Sequence, residues 1–118
     1  MNILVIDDDA KLLAEVDDIL TRNGHAADCT DNAKDAIQMA KTHHYDFVLV
    51  DYRMPKHDGL WFMKNIALPR GTKAVLMSAF VDREVLRQMA EAGISGYVIK
   101  PFDEADLLRH INFDRSIA

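Results

Sequence analysis

The sequence predicts an α/β protein: a doubly wound, mainly parallel five-stranded sheet with five helices on its two faces. Three observations predict it. Short unbroken apolar runs of strand length alternate with stretches whose apolar residues recur at helical spacing. The connections between them are short, with no low-complexity linker and no internal repeat. Most of the apolar runs stop abruptly at a charged or hydroxyl residue. Strict alternation of this kind implies parallel strands joined by right-handed crossovers, with helices covering both faces.

The first strand is "ILVI" (3–6), apolar throughout as a strand buried on both faces must be, and it runs into Asp7, Asp8 and Asp9. Asp9 is read as the N-cap of the helix that follows. Leu12, Leu13, Val16, Ile19 and Leu20 share that helix's inner face, and Gly24 stops it. A weaker second strand lies at "HAADC" (25–29). Ala33, Ala36, Ile37 and Ala40 mark the second helix, with Thr30 or Asp31 expected as its cap. The third strand is "FVLV" (47–50), ending at Asp51; a turn at Asp58-Gly59 leads to a helix carrying Leu60, Met63 and Ile66. "KAVLM" (73–77) ends at Ser78, and the next helix carries Val85, Leu86, Met89 and Ala90 between Asp82 as cap and Gly93 as stop. "YVI" (97–99) ends at Lys100, and Ala105, Leu108 and Ile111 mark the last helix behind Asp103. His43 and His44 read as a solvated helix end, because adjacent residues on a helix point apart. His57 reads as an exposed loop residue, and Trp61, Phe62 and Met63 as core or partner surface.

With 118 residues, 49% of them hydrophobic, the chain is expected to form one globular domain over 1–118 with a sizeable core. A net charge of −5 argues against a nucleic-acid-binding surface, which would be basic, without excluding a DNA-binding domain fused further along. Cys29 is alone, so no internal disulfide forms, which suits a reducing compartment. No apolar stretch reaches the roughly 20 residues that span a bilayer, and the start lacks a basic signal segment. A cytoplasmic protein with no membrane partner is expected.

In a doubly wound sheet, ligands bind at the carboxyl ends of the strands, near the point where strand order reverses. The residues expected at that rim are Asp7 and Asp8, Asp51, Ser78 and Lys100. Singly, each has a plain reading as a cap, a turn residue or a solvated charge; together on one rim they point to chemistry. Two carboxylates about 4 Å apart repel by roughly 4 kcal/mol at an effective dielectric of about 20. Three gathered together stay ionised when a cation sits between them, and hard oxygen ligands without His or Cys select Mg²⁺. Asp51, in the middle, is then a nucleophile able to attack phosphorus and hold an aspartyl phosphate. The Lys100 ammonium neutralises the equatorial phosphoryl oxygens, and the Ser78 hydroxyl donates to one of them.

From "ILVIDDD" through "VLVDYRMPKHDG" and "VLMSAF" to "GYVIKPF", the chain resembles the receiver domains of two-component response regulators, notably the chemotaxis-type single-domain regulators. The resemblance implies a flavodoxin-like sheet of order 2-1-3-4-5. It implies that Asp7 and Asp8 are the acidic pair, with Asp8 the direct metal ligand, that Asp51 accepts the phosphoryl group, and that the backbone carbonyl of Arg53 completes the metal contacts. It likewise makes Ser78 the hydroxyl switch residue, Tyr97 the aromatic switch residue and Lys100 the family's lysine, with a cis Lys100-Pro101 bond. The implied partners are a histidine kinase or histidine phosphotransfer protein on one side. On the other stands an output domain or target protein, reached through the surface of the fourth helix, fifth strand and fifth helix. Homodimerisation on phosphorylation stays open, as does whether the chain is a stand-alone regulator or the amino-terminal domain of a longer one.

Arg53 and Phe80 occupy the two positions that tune phosphoryl lifetime in this family; a long cation and a large ring are expected to screen the phosphoryl group from water. Three other readings compete. A haloacid-dehalogenase-like phosphatase would use Asp7-x-Asp9, but the chain is too short for its cap and Asp51 would be unexplained. An FMN carrier would need a phosphate loop where "DDDAKL" repels phosphate. A non-phosphorylated docking module would not need the full set of acceptor residues. The expected protein is therefore not an enzyme but a phosphorelay signalling domain, capable only of self-phosphorylation and slow self-dephosphorylation.

Overall fold

Apolar residues two apart in a strand face the same side of a sheet, so a strand that is apolar at every position must be covered twice. That is the arrangement in the computed structural model, which describes residues 1–117, with side chains through Ile111. Strands β1 (Asn2–Ile6), β2 (Ala26–Thr30), β3 (Phe47–Asp51), β4 (Lys73–Ser78) and β5 (Gly96–Ile99) form one parallel sheet in the order β2-β1-β3-β4-β5. They alternate with helices α1 (Ala10–Arg22), α2 (Ala33–Thr42), α3 (Gly59–Asn65), α4 (Arg83–Glu91) and α5 (Glu104–Ile117).

The three inner strands divide their side chains between two cores. Leu4 and Ile6, Val48 and Val50, and Ala74 and Leu76 face Ala33, Ala36, Phe62, Met63, Val85 and Met89, so α2, α3 and α4 cover that side. Ile3 and Val5, Phe47 and Leu49, and Val75 and Met77 face Val16, Leu20, Leu107 and Ile111, so α1 and α5 cover the other. Fully burying one such side chain contributes about 1.5–3 kcal/mol, and a one-residue slip of register would exchange the two faces.

The expected caps hold at α1, α4 and α5, and Asp58, expected only as a turn residue, caps α3. Asp9 accepts from the N–H groups of Lys11 and Leu12, Asp58 from Trp61, Asp82 from Val85, and Asp103 from Asp106. At α2 the expectation of Thr30 or Asp31 is corrected. Thr30 is still in β2, Asp31 lies in the turn, and Asn32 caps the helix by accepting from the Asp35 N–H at 2.8 Å. Ile66 ends α3 from just outside it, in extended backbone, yet still packs on the core. β2 begins one residue later than expected, while Asp51 and Ser78 are the last residues of their strands rather than the first beyond them. Ala118 lies outside the described residues. Among the described residues no helix is long and apolar enough to cross a membrane. Cys29 is half-buried, and burial, helped by Asp17 and Asp28, pushes its thiol up to about 11.

Candidate functional site

The order β2-β1-β3 places the reversal between β1 and β3, so the loops after these strands part and leave a crevice at their carboxyl ends. β1 delivers Asp7 and Asp8 there and β3 delivers Asp51, whose backbone pairs with Met77 of β4. One ligand oxygen from each of the three carboxylates lies within 4.8 Å of the others. Asp7 and Asp51 are buried, while Asp8 opens to solvent. A cleft of about 350 Å³ beside Asp8 is walled by Tyr52, Arg53, Met54, Pro55 and Asp58.

Lys100, one residue beyond β5, reaches back across the sheet. Its Nζ donates to Asp7 Oδ2 at 2.5 Å and pairs with Asp51 Oδ1 at 3.3 Å. The other Asp7 oxygen accepts the Asp9 N–H at 2.9 Å. Among the described residues no hydrogen bond engages the second oxygen of Asp51, and it is not sealed from solvent. The Asp51 carboxyl is pushed up to about 6, first by burial and then by the charge of Asp7, with Asp8 adding and Lys100 opposing. Burial alone would lower the Lys100 ammonium, but its hydrogen bond to Asp7 and the charges of Asp51 and Asp7 hold it above the ordinary lysine range. The Lys100-Pro101 peptide is cis, as expected, and the Lys100 N–H donates to the Ser78 carbonyl at 2.9 Å.

Ser78 is buried at the end of β4, and its hydroxyl bonds the backbone of Phe80 rather than Asp51. It donates to the Phe80 carbonyl at 2.7 Å and accepts the Phe80 N–H at 3.2 Å. Short hydroxyl side chains readily bond the backbone two residues on, which satisfies the buried Ser78 oxygen locally. Tyr97 stands on the outer face of edge strand β5, 43% exposed, with Ile99 exposed beside it. Arg53 and Phe80 meet: the guanidinium carbon lies 5.1 Å from the ring centre.

The close approach of α3 to β3 fixes one further residue. A Cβ on Gly59 would overlap the Asp51 carbonyl oxygen and crowd Tyr52 Cα, and the Gly59 N–H donates to the Tyr52 carbonyl at 2.8 Å. In the sequence Gly59 reads only as a turn residue. His57, expected to be exposed, instead stacks its ring on Trp61 at 3.8 Å and is half-buried. Lys56, just before it, holds a left-handed backbone at φ 69°. His43 and His44 are exposed, and His44 lies 3.5 Å from Asp46.

Hard carboxylate oxygens converging from two strands, one of them open to solvent, fit a divalent metal ion. A family model described as the response regulator receiver domain matches residues 3–112. The chain is 32% identical over 111 residues to chemotaxis protein CheY-3 of Vibrio cholerae, covering 91% of this chain and 85% of that one. It is 28% identical over 107 residues to transcriptional regulatory protein PdtaR of Mycobacterium tuberculosis, covering 90% of this chain and 52% of PdtaR, so it spans about half that relative's length. Among solved structures, a CheY-like response regulator receiver domain protein from Methanospirillum hungatei superposes with a TM-score of 0.91 at 22% identity, covering 99% of this chain and 98% of that one. The beryllofluoride-activated DrrB receiver domain superposes with a TM-score of 0.85 at 26% identity, covering 98% and 97%.

Proposed function

The chain belongs to the response regulator receiver family, and from that premise we propose that Asp51 is its phosphoryl acceptor in a Mg²⁺-dependent phosphorelay reaction. Receiver domains work with histidine kinases and output domains, as signalling modules rather than enzymes in the usual sense. The observation that carries the proposal is the environment of Asp51. Of the two buried carboxylates at the switch point, it is the one held between Asp7 and Lys100 with one oxygen free of hydrogen bonds.

The chemistry follows from these contacts. The free oxygen of Asp51 attacks the phosphorus of a phosphohistidine or an acyl phosphate in line with the leaving group. An Asp51 O–P bond forms, the donor's N–P or O–P bond breaks, and the donor keeps the electron pair. Lys100 already donates to Asp7 and is ion-paired with Asp51, so it is placed to follow charge onto the incoming phosphoryl oxygens. Asp7, Asp8, Asp51 and the Arg53 carbonyl are the groups proposed to hold Mg²⁺, with Asp8 as the direct carboxylate ligand. When bound, the ion supplies positive charge to the carboxylates and the transferring group.

On phosphorylation the Ser78 hydroxyl leaves the Phe80 backbone for a phosphoryl oxygen, and Tyr97 turns inward from its exposed position. The altered α4-β5-α5 face then signals to an output domain or target protein. Arg53 and Phe80, sitting together at the rim, screen the phosphoryl group from water and lengthen its lifetime. Incubation with acetyl phosphate and Mg²⁺ is expected to add the mass of one phosphoryl group, lost in Asp51→Asn and with EDTA. Labelling of Asp51→Asn at the wild-type level would refute the acceptor. Dephosphorylation should quicken in Arg53→Ala and Phe80→Ala; unchanged rates would refute the screening role. Turnover of a generic aryl phosphate would instead favour a phosphatase.

A further inference from the structure

At the rim of the site a side chain from the loop after β3 meets one from the loop after β4. The Arg53 guanidinium, beyond β3, lies over the Phe80 ring, beyond β4, at 5.1 Å, inside the range of about 6 Å at which a cation is attracted by an aromatic face. Phe80 is 49% exposed, so burial in a core does little to seat it. Its backbone nevertheless carries both hydrogen bonds that hold the Ser78 hydroxyl, one accepted from Ser78 and one donated to it. Ser78 itself is anchored at its carbonyl by the Lys100 N–H. The strand end is therefore fixed, and the direction of its hydroxyl is set by the loop residue two positions on.

We propose that Arg53 and Phe80 form a latch that holds the Ser78 hydroxyl in its resting direction, making both of them positioning residues that act through Ser78. The inference rests on the acceptor reading of Asp51 and Ser78 above. It differs from the screening role, which concerns water reaching a phosphoryl group already in place. The latch acts on the unmodified protein. To reach a phosphoryl oxygen, the hydroxyl must give up the bond it donates to the Phe80 carbonyl, and in the latch this release goes with a shift of the loop carrying Phe80 under Arg53. A ligand that needs the shifted arrangement works against the latch, and its apparent affinity is lowered by the fraction of molecules that stay latched. A surface cation–aromatic contact of this kind corresponds to roughly a two- to fivefold effect on such an equilibrium.

The test is titration of the Mg²⁺-loaded protein with beryllofluoride, a tetrahedral phosphoryl mimic, in wild type, Arg53→Ala, Phe80→Leu and the double variant. Both single variants are expected to bind beryllofluoride roughly two- to fivefold more tightly, with the double variant no tighter than either. Arg53→Lys, which keeps the cation, should return towards wild-type affinity. Without any ligand, the Phe80 amide resonance should shift in Arg53→Ala, a readout that does not depend on the acceptor reading. Affinity unchanged or weakened in either single variant, additive gains in the double variant, or an unmoved Phe80 amide would each overturn the latch. Failure of wild type to bind beryllofluoride would instead sink the acceptor reading and the latch with it. Both side chains are exposed, so the variants are expected to fold.

Discussion

Replacing Asp51 with Asn should make the protein more stable, although it destroys the proposed acceptor. The ordinary carboxyl value of 3.8 rises to about 6 in the folded protein, chiefly through burial and the neighbouring charge of Asp7. A raised carboxyl value means the folded state holds the proton more tightly than the unfolded chain does. Stability is therefore full below pH 3.8, falls as pH rises through the window from 3.8 to about 6, and stays low above it. At ~1.36 kcal/mol for each pH unit, the loss above pH 7 is about 3 kcal/mol, and about half of it is already present near pH 5. Asp51 is 7% exposed on its side chain, so solvent screening removes little of this. In EDTA at pH 7.5, urea unfolding of Asp51→Asn should show a gain of about 1–3 kcal/mol over wild type, shrinking towards zero near pH 4. Mg²⁺ at ten times its dissociation constant should then stabilise wild type by about 1.4 kcal/mol and the variant by less. A variant no more stable than wild type at pH 7.5, or a difference independent of pH, would refute the reasoning.

Lys100→Met should destabilise by about 3 kcal/mol in urea unfolding, because it leaves the fully buried Asp7 carboxylate without its cation. Gly59→Ala should cost about 1–3 kcal/mol and slow labelling by acetyl phosphate, since relieving the overlap with the Asp51 carbonyl moves the strand end. Asp9→Ala should cost about 1 kcal/mol through the lost α1 cap while labelling of Asp51 persists; lost labelling would give Asp9 a role in the site instead.

The alternation of elements was legible because β1, β3 and β4 are buried on both faces, which leaves no polar position to blur the pattern. The rim residues were legible for the same reason: a charge directly after such a run has to lie at a strand end. The α2 cap was misassigned because Thr30, Asp31 and Asn32 are all good caps, and the length of β2 decides among them. The Ser78 orientation could not be read, since its hydroxyl can bond the backbone locally or reach across the site. The Arg53–Phe80 contact joins two loops 27 positions apart and depends on how both loops fold, which periodicity does not encode. Stacking of His57 on Trp61 was hidden likewise, behind a left-handed Lys56 that no glycine announced.

That stacked pair gives the molecule an optical reporter of its own. Trp61 is the chain's only indole, and it emits against an imidazole whose residue lines the same cleft as Asp8. An imidazole in contact with an indole quenches its emission, so fluorescence should change when the loop carrying His57 shifts against the Trp61 ring. A shift of that loop can thus be followed in unlabelled protein, by a signal that starts in the wall of a cleft it shares with Asp8.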